Sequence, residues 1–374
     1  MIKLFGRAFI DDQIRDDVLV TLDVPQIADV RVVARPPADA ERIAGVIVPG
    51  FIDVHVHGAA GADFMDGDAA AIACVLAFHA TEGTTALAAT TLSASRGDLH
   101  AAVDVLARVA RASPRGAEIC GIHLEGPYIN VQAAGAQDAT SIRPSDLHEL
   151  AALISLAPER RWIVTFAPEL AHAEELIEQF RDRVLFSIGH TAATHAEAVA
   201  ALEWGAAHFT HLFNAMTGLH HRDPGVVGAA LTSVGATVEL IADGIHVHPA
   251  VLRIAAQAMP HRVALVTDAV RACGMPDGTY KLYDSDIIVS GGAARLANGA
   301  LAGSTLTMRR AVQNMVELAG LPLETVLPMA TEVPARILGV DNRKGRLDAG
   351  YDADVVVLSE KFDIEQVWVR GERG

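Results

Sequence analysis

Cysteine is scarce in this chain, and the three that occur lie far apart, at Cys74, Cys120 and Cys273. This spacing excludes a CxxC zinc or redox motif and a disulfide framework. The sequence therefore predicts three buried thiols in a reducing compartment, and we expect a cytoplasmic protein.

Long apolar runs and excess positive charge are missing as well. We find no run of about 18 apolar residues without a charge, which is what a membrane span needs. The first residues lack the apolar core of a signal peptide and soon reach Asp11 and Asp12. The formal net charge is -16, which argues against nucleic acid or an anionic membrane as the main partner. A small anionic substrate is still compatible with this charge, because a pocket can be locally basic.

Apolar sequence in alternating strand and helix patterns dominates the middle of the chain. Of the 374 residues, 51% are hydrophobic and 20% charged, which allows a large core. The predicted strands are 46–55, 84–91, 119–125, 162–167, 184–190, 206–212, 237–243 and 263–268. Helical patterns lie between most of them, at 69–81, 99–111, 145–156, 173–180, 195–204 and 249–259. Eight strand–helix units of this kind predict an α/β fold, a (β/α)8 TIM-like barrel.

Both ends of the chain differ from this middle, because each consists of short β-like runs. These runs are 18–22, 30–33, 355–358 and 367–369. We expect the two ends to pair into a small β-sandwich domain of residues 1–47 and 344–374. The barrel domain would then be 48–343.

Residues that can bind a metal ion end six of the eight predicted strands. In chain order they are His55 with His57, Glu125, His190, His211, Asp243 and Asp268. A lone histidine or aspartate usually has an ordinary explanation, such as a helix cap. Six strand ends at the active edge of a barrel are better explained together, as one metal site. Ordinary roles are assigned to His79, His100, His148, His172, His195 and His261, and His123 is expected one layer deeper than Glu125.

Imidazole and carboxylate groups together suit zinc or iron. Such a metal lowers the pKa of bound water and polarises a carbonyl, which makes hydrolysis near neutral pH possible. A proton acceptor must then take the proton of the water and pass it to the leaving group. Asp268, on the last predicted strand, is the best candidate for this acceptor.

These motifs resemble the amidohydrolase superfamily, and within it the branch that deacetylates N-acetylglucosamine 6-phosphate. The resemblance runs from about residue 46 to 358. It rests on PGFIDVHVHG at 49–58, HLEGP at 123–127, GHT at 189–191, HLFNAM at 211–216, ADGIH at 242–246, LAGS at 301–304 and GYDAD at 350–354. The expected reaction gives glucosamine 6-phosphate and acetate, as part of amino-sugar catabolism.

The resemblance also implies roles for individual residues. Glu125, His190 and His211 would hold an essential divalent metal, and His55 with His57 would complete a second site. One or two metals per subunit are both compatible with the family. Asp268 would be the general base and then the general acid. The substrate contacts would be His246, Asn214, Ala215, Arg222 and Gln137, with the arginine supplied by the neighbouring subunit of a homodimer.

Lysine is almost absent, and this fits the same branch. The lysines are Lys3, Lys281, Lys344 and Lys361. Many relatives bridge two metals with a carbamylated lysine, but no predicted barrel strand carries one here. Glu125 is the natural substitute as an anionic bridging ligand.

Two alternatives remain open at this stage. Gln137 stands where the family often has a histidine, and the segment 132–137 carries no positive charge. The substrate could therefore be another N-acyl amine, such as a galactosamine derivative or an unphosphorylated amino sugar. A non-catalytic barrel used for binding is the alternative of another class, although its ligand residues would be expected to be eroded.

Overall fold

The structure is a computed structural model that describes residues 1–112 and 115–373. Its strands are β1 Ile2–Ile10, β2 Gln13–Asp23, β3 Gln26–Val32, β4 Glu41–Pro49, β5 Phe51–Val56, β6 Gly58–Ala59, β7 Ala62–Asp63, β8 Thr84–Thr91, β9 Glu118–Glu125, β10 Arg161–Phe166, β11 Val184–Ile188, β12 His208–Phe209, β13 Thr237–Ile241, β14 Val263–Val266, β15 Gly278–Leu282, β16 Ser285–Ser290, β17 Ala293–Leu296, β18 Val355–Leu358, β19 Ile364–Val369 and β20 Glu372–Arg373. Its α-helices are α1 Ala69–Thr81, α2 Arg96–Ala112, α3 Leu147–Leu156, α4 Ala173–Phe180, α5 His195–Trp204, α6 Gly225–Thr232, α7 Pro249–Ala258, α8 Met308–Glu317, α9 Leu323–Ala330 and α10 Glu332–Leu338. Two short 3-10 helices lie at Phe64–Asp66 and Val131–Ala133.

Eight parallel strands form the barrel, in the order β5-β8-β9-β10-β11-β12-β13-β14. The first and last strands meet at their carboxyl ends, where the N–H of Asp268 donates to the carbonyl of His55 at 2.9 Å. The N–H of His57 donates to the carbonyl of Ala269 at the same distance. The predicted (β/α)8 barrel is confirmed, and its closure sets the candidate ligands of β5 beside Asp268.

The barrel strands are buried because helices cover the sheet from outside. Every residue of β8 and of β5 is buried, as the near-continuous apolar runs predict. Helix α1 shows the complementary pattern, with Ile72, Val75 and Leu76 turned inward. Cys74 lies on the outer face of this helix and is exposed, so the prediction of three buried thiols is wrong for this residue. The helical period places it opposite the buried stripe.

The predicted strand 46–55 is in fact two strands in two different sheets. Strand β4 pairs with β1 and β18, whereas β5 pairs with β8 in the barrel. The chain passes from one sheet to the other at Gly50. A Cβ atom there would lie 2.1 Å from Oγ1 of Thr85, so only glycine allows this close approach. A continuous apolar run cannot reveal such a change of sheet.

A seven-stranded sheet is built from both chain ends, as predicted, in the order β20-β19-β18-β4-β1-β2-β3. The buried ammonium of Lys344 joins it to the barrel, with Nζ 2.5 Å from Asp354, 2.9 Å from Asp352 and 3.0 Å from Glu118 at the start of β9. These three carboxylates compensate the buried charge. The domain boundaries at 47/48 and 343/344 stay predictions.

A small antiparallel sheet of β15, β16 and β17 follows the last barrel strand and has no counterpart in the predicted elements. Its inner residues Leu282, Ile287 and Val289 pack with Leu92 and Val270 beside the barrel mouth. Lys281 lies on β15 and pairs with Asp286 at 2.8 Å, away from the strand ends. Among the described helices, none is long and apolar enough to cross a membrane.

Candidate metal centre

The predicted ligands all lie at the carboxyl ends of barrel strands. Glu125 is the last residue of β9, while His190, His211 and Asp268 each follow their strand by two residues. These last three have positive φ, of 47°, 28° and 49°. Few residues other than glycine adopt this conformation. This conformation turns the backbone away from the strand direction at the residue whose side chain points to the barrel mouth.

Glu125 is the centre of this cluster, because one carboxylate meets four imidazoles. Its Oε1 lies 3.0 Å from Nε2 of both His190 and His211. The same oxygen lies 3.3 Å from Nε2 of His55, and Oε2 lies 3.3 Å from Nε2 of His57. Two three-residue groups result, Glu125 with His190 and His211, and Glu125 with His55 and His57. All five side chains are buried.

The hydrogen bond of the His190 ring fits a cation beside its Nε2. The Nδ1 of His190 lies 2.8 Å from the carbonyl oxygen of Ala133. A carbonyl only accepts, so Nδ1 carries the hydrogen and Nε2 of the neutral ring presents a lone pair. That Nε2 faces Nε2 of His211 at 3.0 Å. Neighbouring ligand atoms around a tetrahedral zinc ion lie about 3.3 Å apart, so the spacing and the donor types suit a divalent metal.

The pKa values of the cluster show that protons compete with a metal ion for the same ligand atoms. Burial lowers the pKa of His57, but its bonds to Asp268 and Glu125 outweigh burial and raise that pKa to about 9. Burial raises the pKa of Glu125, but the charges of His55 and His190 bring it well below its usual value. Since metal ligands must be deprotonated, a bound cation replaces these protons.

Asp268 lies beside the group of Glu125, His55 and His57. Its Oδ1 is 3.2 Å from Nε2 of His57 and 3.6 Å from Nε2 of His55. Burial raises the pKa of Asp268, but the His57 hydrogen bond and the His55 charge outweigh it and lower that pKa below its usual value. The result is an ionised carboxylate that can accept a proton at the barrel mouth.

The LAGS segment supports the backbone of Asp268. The N–H of Ser304 donates to the carbonyl of Asp268 at 2.7 Å. A Cβ atom on Gly303 would lie 2.8 Å from that carbonyl and 2.4 Å from Val270. Glycine is therefore required at 303, which gives this motif a structural reason.

Sequence reasoning missed Glu239, in the middle of β13. This residue is fully buried, and its carboxylate lies 2.9 Å from Nδ1 of His55. The only signal in the sequence is an acidic residue inside an otherwise apolar strand. Such a residue needs a partner when it is buried.

His123 lies one layer deeper than Glu125, as expected. Its Nδ1 is 3.0 Å from the carbonyl of Val54, and its Nε2 is 2.7 Å from Oγ1 of Thr165. Burial lowers the pKa of His123 to about 3, so the ring is neutral. Both ring nitrogens therefore have partners inside the barrel, and His123 has the ordinary role of a hydrogen-bonded core histidine.

The cluster opens into a cavity of about 330 Å³. Among its lining residues are the predicted substrate contacts His246, Asn214, Ala215 and Gln137. Asp243 contacts His246 on the side of Nδ1, with Oδ2 2.6 Å from that nitrogen. Apolar residues of the wall include Leu92, Val270, Leu282 and Leu301.

Arg222 is not among the residues that line this cavity in its own chain. It lies in an exposed loop, where its guanidinium is 2.7 Å from Nε2 of His221. Within the described residues, the cavity walls carry no lysine or arginine.

The segment 131–137 forms one wall of the cavity. Gln137 accepts a hydrogen bond from the N–H of Ser93 at 2.6 Å and donates to Oε2 of Glu125 at 2.6 Å. Glu169 holds the start of this segment, since it accepts from the side chain of Asn130 at 2.8 Å. The same carboxylate accepts from Thr191 and from the N–H of Ala192. Glu169, which no sequence motif pointed to, thus joins this wall to the loop of His190.

An eight-stranded parallel barrel with imidazole and carboxylate groups at its strand ends is the arrangement of a metal-dependent barrel hydrolase. Residues 46–374 match the Amidohydrolase family. The chain belongs to this family.

Relatives with assigned activities are similar over nearly the whole chain. N-acetylgalactosamine-6-phosphate deacetylase from Escherichia coli O157:H7 is 42% identical over 339 residues, which is 90% of either chain. N-acetylglucosamine-6-phosphate deacetylase from Bacillus subtilis is 39% identical, over 90% of this chain and 85% of its own.

Solved structures show the same likeness. A mutant N-acetyl-D-glucosamine-6-phosphate deacetylase from Mycobacterium smegmatis, in complex with N-acetyl-D-glucosamine-6-phosphate, superposes with a TM-score of 0.94 at 35% identity. The match covers 100% of this chain and 98% of that one.

Proposed function

We propose that this chain hydrolyses the acetamide of an N-acetylated amino-sugar 6-phosphate, giving the amino-sugar phosphate and acetate. N-acetylglucosamine 6-phosphate is the first expected substrate. The observation that carries the proposal is the ionised Asp268, 3.2 Å from His57 and facing the same cavity as Glu125, His190 and His211. Similarity to deacetylases over 90% of the chain supports it.

The types and positions of the donor atoms support a proposed set of metal ligands. Glu125, His190 and His211 would hold one divalent ion, and His55, His57 and the shared Glu125 a second. Zinc or iron is the expected metal, because neutral imidazole with carboxylate suits both. When bound, such an ion lowers the pKa of water and polarises the carbonyl of the acetamide.

The chain's own groups move the protons. Asp268 takes a proton from the attacking water as the new carbon–oxygen bond forms. It then gives this proton to the nitrogen as the carbon–nitrogen bond breaks, so that a neutral amine leaves. The acetic acid that remains loses the second water proton to solvent and is released as acetate. Since its pKa is held low, Asp268 is ionised and ready to accept at neutral pH.

His246 would bind the acetyl oxygen. Its Nδ1 faces Oδ2 of Asp243 and therefore carries a hydrogen. To donate to a carbonyl with Nε2 as well, the ring must carry both hydrogens. Burial lowers the pKa of His246, but Asp243 outweighs burial and raises it, which favours this doubly protonated form.

The phosphate requires a cationic partner, and the described cavity walls carry no lysine or arginine to supply it. Asn214 and Ala215 line the cavity, whereas Arg222 is exposed outside it. An arginine from a second copy of the chain would provide the missing charge, so we propose a homodimer with Arg222 acting across the interface. The cytoplasmic location stays a prediction.

The second candidate substrate is N-acetylgalactosamine 6-phosphate. The specific support is the relative with that printed activity, at 42% identity over 90% of both chains. The two sugars differ only in the configuration at C4, and the chemistry at the acetamide is the same.

The test is acetate release by enzyme reconstituted with zinc or with iron under anaerobic conditions. Both sugar phosphates and unphosphorylated N-acetylglucosamine are compared by kcat/KM. We expect a strong preference for a phosphorylated sugar, lost in R222A and kept in R31A, which alters another exposed arginine. Equal rates with and without phosphate would refute the anion site. No acetate from any of the three would refute the deacetylase assignment.

A further inference from the structure

Glu239 contacts both halves of the candidate metal centre from inside the barrel. It lies on β13, is fully buried, and belongs to none of the motifs that indicate the family. We propose that Glu239 is a positioning residue that sets the metal affinity of the group formed by His55, His57 and Glu125. The inference rests on the two-site metal centre of the proposed function.

The two carboxylate oxygens of Glu239 have separate partners. Oε2 lies 2.9 Å from Nδ1 of His55 and also accepts the backbone N–H of His211 at 2.9 Å. Oε1 lies 3.1 Å from Nε2 of His208. The Nδ1 of His208 is in turn 2.7 Å from Oγ1 of Thr237. Three partners therefore hold the two oxygens, and they fix the orientation of the carboxylate.

This orientation determines which nitrogen of His55 can bind a metal. An ionised carboxylate only accepts hydrogen bonds, so the Nδ1 of His55 must carry the hydrogen. Its Nε2 then presents a lone pair toward Glu125 and His57, both 3.3 Å away. Without Glu239, the ring could rotate or take the other tautomer and turn an N–H toward the metal position.

The two metal groups depend on Glu239 to different degrees. In the first group, the ring of His190 is oriented by the carbonyl of Ala133, and Glu239 meets only the backbone of His211. In the second group, the charged carboxylate bonds the ligand ring itself. Carboxylate partners of ligand imidazoles raise their basicity, and their loss costs about 10- to 100-fold in metal affinity. The effect should therefore fall on the second group.

The decisive variant is E239Q, which removes the charge and keeps the shape. Its amide oxygen, placed at the Oε2 position, still accepts from His55 and from the N–H of His211. Its amide nitrogen can donate to Nε2 of His208 if that ring takes its other tautomer. The matched control is T237V, which removes the hydrogen bond at the far end of the same network and does not touch His55.

The experiment titrates metal-free protein with zinc against a competing chelator, and repeats it with cobalt to record the visible spectrum. We expect two sites in the wild-type protein. In E239Q, the second site should weaken by about 10- to 100-fold, while the first site and its cobalt spectrum stay unchanged. T237V should bind both metals as the wild type does.

Several outcomes would overturn the inference. They are equal weakening of both sites in E239Q, an unchanged second site, or a wild-type protein that binds one metal only. If E239Q misfolds, a measurement on the wild type still tests the inference. Nitrogen-15 NMR of the zinc-loaded wild type should show the proton of His55 on Nδ1. A proton on Nε2 would also overturn the inference. A wild type that binds two metals but releases no acetate would refute the proposed function and leave this inference standing.

Discussion

The side-chain amide of Gln137 donates a hydrogen bond to Oε2 of Glu125 at 2.6 Å. Its oxygen accepts from the N–H of Ser93, also at 2.6 Å. Both ends of the amide are thus used within the protein. A direct substrate contact by Gln137 stays a prediction, but the same side chain clearly holds the carboxylate that both candidate metal groups share.

Replacing Gln137 by leucine should weaken metal binding. The change removes the donor to Glu125 and leaves a buried carboxylate oxygen with one partner fewer. We expect a loss of about tenfold or more in metal affinity, measured by metal content after dialysis against a graded chelator. Q132L is the matched control, because Gln132 lines the same cavity wall. Wild-type metal retention in Q137L would show that Glu125 does not need this support.

Replacing Asp268 by asparagine should abolish turnover while metal content stays near normal. The amide keeps the size of the side chain but cannot accept the proton of the water. We expect kcat to fall by at least about 100-fold, measured by acetate release under saturating substrate. Retained activity in D268N would remove Asp268 from its assigned role.

The positions of the candidate ligands in the fold could be predicted because two simple rules apply to them. Apolar runs indicate the strands, and parallel barrel strands present their carboxyl ends at one edge. Glu125, His190 and His211 follow from these rules without any knowledge of distant contacts. The chain order of the strands also equals their spatial order in the barrel, which is what strand–helix alternation predicts.

The supports behind these ligands could not be predicted, because they depend on contacts between distant residues. Glu239 reaches His55 across 184 residues of sequence, and Gln137 reaches Ser93 across 44. The change of sheet at Gly50 is hidden within one apolar run. Glu169 ends no predicted strand, and its three hydrogen bonds appear only once two loops are folded together.

Replacing Asp243 by asparagine should shift the alkaline side of the pH profile. Burial lowers the pKa of His246, but Asp243 and Asp268 outweigh it and raise that pKa. If the doubly protonated ring binds the acetyl oxygen, activity is present below this raised pKa and is lost as the pH rises through it. D243N removes the Asp243 charge, so the alkaline fall in kcat/KM should move to lower pH. A profile that stays in place would exclude His246 as the titrating group.

The stability of the metal-free protein should fall as the pH rises from about 6.5 to about 9. The pKa of His57 is about 9 in the fold and about 6.5 in an unfolded chain. A raised pKa stabilises the fold fully below the unfolded value, and this stabilisation is lost as the pH passes the folded value. Thermal unfolding of chelated protein at pH 6 and 9 measures it.

Metal-loaded protein is the control for that measurement. Its cation takes the place of the protons, so metal affinity should rise over the same pH window. The stabilisation by metal should accordingly be larger at pH 9 than at pH 6. Parallel pH curves for loaded and chelated protein would contradict this reading of the cluster.

Replacing Glu169 by alanine should impair substrate binding more than chemistry. Its carboxylate joins Asn130, at the start of the cavity wall 131–137, to Thr191 and Ala192 beside His190. The wall is also bonded to His190 itself, because the N–H of Asn130 donates to the carbonyl oxygen of His190 at 2.9 Å. Losing Glu169 leaves that bond and the Ala133 contact in place, so His190 keeps its orientation while the wall loosens. We expect KM to rise roughly tenfold and kcat to change by less than about threefold.

E159A, at a carboxylate that pairs with Arg111 outside the cavity, serves as the control. An equal fall in kcat with unchanged KM would instead place Glu169 in support of the metal ligands, since a displaced His190 would slow the reaction of every bound substrate.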